Sequence, residues 1–142
     1  MTRWTLAAAL VIGAVLSAGR ATHARAAAKP GVALVCTLQP GLGSKGGVDR
    51  AALCETFRRR FEGVTGAPVR LVASVPAGPK ARWITVDIRA PRRNALEARM
   101  TSQLSARRVS HPPIAIDVMD MAIGQRDVDG LAQVVAKRLT DR

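Results

Sequence analysis

Residues 82–89 read Arg-Trp-Ile-Thr-Val-Asp-Ile-Arg (RWITVDIR). Apolar and polar side chains alternate along this run, with Ile84, Val86 and Ile88 on one side and Trp83, Thr85, Asp87 and Arg89 on the other. Successive side chains of an extended chain point to opposite faces, so the pattern predicts a strand with one face on a core and the other toward water. A sheet covered on one face is the frame into which the other segments must fit.

Upstream, Val32 to Leu38 (VALVCTL) is a short, β-branched apolar run closed by Gln39-Pro40-Gly41, which predicts a first, buried strand. Asp49 stands at an N-cap position ahead of Leu53, Cys54, Phe57, Phe61 and Val64 at helical spacing, and Gly63 and Gly66 end that helix. Val69 to Ser74 predicts the second strand, followed by a turn at Pro76 to Lys80. Downstream, Pro91 stops the third strand. Asn94 caps an expected second helix carrying Leu96, Met100 and Leu104, with Arg107 and Arg108 at its C-terminal end, where the helix dipole favours cations. After Pro112-Pro113, Ile114, Ile116 and Val118 alternate as a fourth strand, and a last helix from about Asp127 carries Val128, Leu131, Val135 and Leu139. The expected fold is therefore α+β, a ferredoxin-like β-α-β-β-α-β sandwich with an added C-terminal helix.

The N-terminus has a different character. Arg3 and Trp4 precede the apolar run Leu6 to Leu16 (LAAALVIGAVL), and small residues lead on to Ala24-Arg25-Ala26. This is the three-part layout of a cleavable signal peptide over residues 1–26, leaving residues 27–142 as one small α+β domain. The apolar run falls short of the roughly 20 residues that a bilayer crossing needs, so no stable transmembrane helix is expected. Arg20 stands where a lipoprotein would carry its cysteine, so the product is expected to be periplasmic or secreted and not lipid-anchored.

Cys36 and Cys54 are the chain's two cysteines. One falls on the inward side of the first strand and the other on the apolar stripe of the first helix. In an oxidising compartment they are expected to form a disulfide. Neither lies in a C-x-x-C, which argues against redox or metal chemistry.

The 142 residues carry a net charge of +12, and processing would remove three arginines. Aromatic residues are 3% of the chain and tyrosine is absent, which disfavours nucleic acid read by stacked rings. A cationic surface attracts anionic partners. Arg58, Arg59, Arg92, Arg93, Arg107 and Arg108 are the candidate contacts, on what the sequence presents as a basic helical layer. Glu55 with Arg59 and Arg58 with Glu62 are spaced to pair along the first helix.

Catalysis has less support. His111 is the one histidine beyond the leader, and Ser102, Ser105 and Ser110 near it lack a nucleophile-elbow setting. Gly41 to Gly46 matches G-x-G-x-x-G, but Asp49 would set a carboxylate near any bound anion and no ribose-binding acid follows the second strand. Asp117, Asp120, Asp127 and Asp129 gather near the last helix without the spacing of a calcium loop, and Asp87 with Asp117 would form an acidic spot if their strands were adjacent. The expected function is non-catalytic binding of an envelope protein or an anionic envelope component, without cofactor or metal. The alternative is a small exported enzyme or ligand-binding protein using the loop Gly41–Gly47 or the acidic cluster Asp117–Asp129.

Overall fold

The computed structural model describes residues 29–40, 42, 49–118 and 123–141. The expected signal peptide, the glycine-rich loop apart from Leu42, and Asp120 lie outside the described residues. The elements, in order, are β1 (Val32–Leu38), α1 (Arg50–Thr65), β2 (Val69–Leu71), β3 (Trp83–Arg92), β4 (Ala95–Gln103), β5 (Val109–Ser110), β6 (Ile114–Asp117) and α2 (Gln125–Arg138). They form a mixed α+β structure, a six-stranded sheet with two helices.

The sheet runs β2-β1-β3-β4-β5, with β6 also on β4. β1 is parallel to both β2 and β3, whereas β4 is antiparallel to β3, β5 and β6. Five strands thus point one way and β4 alone points back. β5 and β6 share one edge of β4 because Pro112-Pro113 between them supply no backbone donors. His111 N nevertheless donates to Met100 O at 2.9 Å and keeps the edge continuous.

The alternation in β3 appears as read: Ile84, Val86 and Ile88 are buried beneath the helices. Leu34, Cys36 and Leu38 oppose them from β1, and Ser102, Met100 and Ala98 from β4. The stripes Leu53, Phe57 and Phe61 of α1 and Val128, Leu131 and Val135 of α2 close this core from above. A disulfide joins Cys36 to Cys54 with the Cα atoms 5.8 Å apart, tying β1 to α1. No helix among the described residues is long and apolar enough to cross a membrane.

The principal correction concerns residues 95–103. The expected second helix is β4, so the order is not that of a ferredoxin-like sandwich. Leu96, Met100 and Leu104 do recur at helical spacing, but Leu96, Ala98, Met100 and Ser102 also recur every second residue, and all four are buried. Glu97, Arg99, Thr101 and Gln103 occupy the other face. The small Ala98 and Ser102 concealed the period of two. A tertiary demand overrode the helix propensity of Ala, Leu, Glu, Arg and Met: β3 needs a hydrogen-bonded neighbour on its second edge. Pro91 disturbs the register between Arg89 and Arg92 instead of ending the strand.

Smaller departures follow from position. β2 is cut to Val69–Leu71 at the sheet edge. α2 begins at Gln125 behind Gly124, and Asp127 caps from inside the first turn, its Oδ2 accepting from Gly124 N at 2.8 Å. Asp49 does cap α1, accepting from Ala52 N at 3.1 Å. Gly66 ends α1 at φ 61°, a left-handed conformation that glycine adopts without steric cost. Gly63 lies inside the helix.

Candidate functional site

The six candidate arginines do not form one helical layer. Arg58 and Arg59 are on α1, Arg92 and Arg93 are at the β3–β4 turn, and Arg107 and Arg108 are between β4 and β5. The two turns lie at opposite ends of the sheet, because β4 runs the full length between them. Between the last two pairs lies the strand β4, not the helix expected there.

Arg58 is engaged along its own helix. Its Nε is 2.7 Å from Glu55 and its Nη1 is 2.6 Å from Glu62, and its side chain is 25% exposed. Arg59 reaches Glu55 at 3.1 Å but is 73% exposed. Hydrogen bonds from both guanidiniums, that of Arg58 first, hold the Glu55 carboxyl down to about 2. Glu55 and Glu62 together raise the pKa of Arg58 further above its already high range. These pairs answer Arg58 and Arg59 and leave the exposed Arg60 as the one arginine of this span without an ion pair among the described residues. Arg92, Arg93, Arg107 and Arg108 are likewise exposed and make no ion pair among the described residues.

The uncovered sheet face has its own charge pattern. Asp87 faces Arg99 across the β3–β4 ladder, and Arg89 faces Glu97. Each arginine bonds the acid two residues before it, Arg89 to Asp87 and Arg99 to Glu97, both at 2.6 Å. Thr37 Oγ1 donates to Asp87 at 3.1 Å. Glu97, with Asp87 adding, raises the Arg99 pKa. Leu38, Gln39, Pro40 and Pro91 complete an open groove of about 440 Å³ over these residues. Its two acids and two bases are satisfied by one another, which leaves no unpaired charge to seize a ligand. The acidic spot expected from Asp87 and Asp117 does not form: β3 and β6 lie on opposite sides of β4.

Trp83 offers no stacking platform. It is 5% exposed, and the Arg108 guanidinium lies 5.4 Å from its ring centroid, capping it by a cation–π contact. Gln103 Nε2 donates to Ala81 O at 3.0 Å and holds the segment before β3 against the same end of the sheet.

Sequence reading missed one pairing. Ser102 Oγ and His111 Nε2 are 2.8 Å apart, a contact that arises only because residue 102 is in a strand beside the one preceding His111. Burial, and secondarily Arg138, pushes the imidazole below its usual range. Ser102 is 5% exposed and faces the core side of the sheet. Among the described residues no acid orients the other ring nitrogen, and the two groups form a part-buried polar pair.

Two described members of the acidic cluster have structural partners. Asp127 caps α2, and Asp129 accepts from Gln125 Nε2 at 3.0 Å. Among the described residues no three of His, Cys, Asp or Glu come together as metal ligands would.

No protein-family model matches the chain, and no curated protein matches it. A solved structure titled as that of an uncharacterized protein is similar with a TM-score of 0.49 and 11% identity, over 80% of this chain and 90% of that one, a likeness too slight to bear on function.

Proposed function

We propose that the chain is an exported, non-catalytic small domain that binds an anionic component of the cell envelope through arginines left without carboxylate partners. The leader over residues 1–26 would direct export and be cleaved, giving a periplasmic or secreted product of residues 27–142. The Cys36–Cys54 disulfide supports this reading, because such bonds persist in oxidising compartments. The observation that carries it is the split between the arginines. Arg58 and Arg59 are neutralised along α1, while Arg92, Arg93, Arg107 and Arg108 project at turns without an ion pair among the described residues. Exposed charges unopposed by neighbours attract polyanions, and salt weakens that attraction.

The test is retention on an anionic matrix, heparin–agarose, across a salt gradient. The R92Q/R93Q/R107Q/R108Q variant should elute well before the parent protein, and R58Q should elute close to it because its charge is already answered by Glu55 and Glu62. Equal elution of all three would overturn the proposal.

A further inference from the structure

Charge is unevenly distributed along the strand axis, and this deepens the reading above, on which it rests. At the end where β1, β3 and β6 finish and both helices begin, the described cations Arg50, Arg92, Arg93 and Arg126 make no ion pair but are equalled in number by the described carboxylates Asp49, Asp117, Asp127 and Asp129. The opposite end, where β1 and β3 begin and both helices stop, is not balanced. Arg82 bonds the backbone carbonyls of Leu104 and Pro30, gathering the start of β3, the β4–β5 turn and the start of the described chain into one surface. Arg107 and Arg108 project from that turn, and Lys80 from the segment held by Gln103. Lys29 lies against the end of α1, where its Nζ would be 3.3 Å from a Cβ built on Gly66. Lys137 and Arg138 close α2, with Asp141 as the single described carboxylate in that tail. None of these seven cations makes an ion pair among the described residues. The partial negative charges at the two helix C-termini, about half a unit each, offset only a small part of this.

We infer that this end of the domain docks on an anionic phospholipid surface. The cations come from four separate segments and spread over an end of the molecule, which suits a laterally extended charge. Trp83, the one aromatic ring here, is buried under Arg108, so no ring is free to stack on the bases of a single strand.

The experiment is sedimentation of the full chain with vesicles of phosphatidylcholine containing phosphatidylglycerol, with pure phosphatidylcholine vesicles measuring any binding by the apolar run alone. Each Lys or Arg near such a surface strengthens binding about fivefold, so R107Q/R108Q should weaken the charge-dependent part about 25-fold. K137Q/R138Q, which leaves the Arg108–Trp83 contact intact, should do the same, and R92Q/R93Q should change it less than about threefold. Equal losses from both ends would overturn the assignment of the surface. Binding to heparin without binding to anionic vesicles would overturn the lipid partner and leave the broader proposal standing. Failure to bind either would remove both.

Discussion

Removing the Cys36–Cys54 bond perturbs the structure at the junction of its first strand and first helix, and its cost can be worked from the loop it closes. The half-cystines are 18 positions apart. On the chain-entropy model, freeing a loop of this size restores about 11 cal/mol/K to the unfolded chain, or about 3 kcal/mol at 25 °C. Cys54 is buried and Cys36 packs against the core, so C36A/C54A also forfeits some apolar contact. The total expected is about 3–4 kcal/mol, within the usual range for a native disulfide of a small domain. At a domain size near 100 residues this lowers Tm by about 15 °C. Urea unfolding followed by tryptophan fluorescence, on the oxidised parent and the double variant, measures it. The entropic account makes a second demand: the variant's unfolded state exposes more surface, so its m-value should rise. A loss below about 1 kcal/mol, or a large loss with an unchanged m-value, would refute the reasoning that the bond acts mainly on the unfolded chain.

Phe57 is wholly buried between α1 and the sheet, 6.0 Å from the Phe61 ring centroid, and F57A should cost about 3–5 kcal/mol in the same urea experiment. His111 should make stability fall in mild acid. Its folded pKa is depressed, so the native state resists protonation, and stability present above the unfolded value near 6.5 is lost as the pH falls through the folded value. Urea midpoints at pH 7.5 and 5.5 should converge partly in H111Q, and an unchanged difference would place the acid sensitivity elsewhere. Glu55, held at about 2, contributes stability that is present above the usual carboxylate range and lost as the pH falls toward 2. E55Q should flatten that acid limb of the stability profile.

Local patterns were sufficient where one periodicity dominated. The alternation from Trp83 to Arg89, the Asp49 cap, and the stripe Leu53, Cys54, Phe57 and Phe61 each had one reasonable reading, and the disulfide followed from placing both sulfurs on inward faces. The intrahelical pairs of Arg58 and Arg59 were legible for the same reason, because partners three or four residues apart are set by the helix itself. Residues 95–103 carried two periodicities at once, and nothing within that stretch could choose between them.

The amino-acid sequence by itself determined the α+β character, the strands β1 and β3, both observed helices, the disulfide and the excess of cations. Those depend on spacing along the chain and on composition. Tertiary structure alone decided that residues 95–103 complete a sheet, that Ser102 meets His111, that Arg108 caps Trp83, and that seven cations collect at one end. Each of these depends on which distant segment lies alongside, and that is settled by the need of β3 for hydrogen-bonded strands on both edges and of two helices for one shared apolar face.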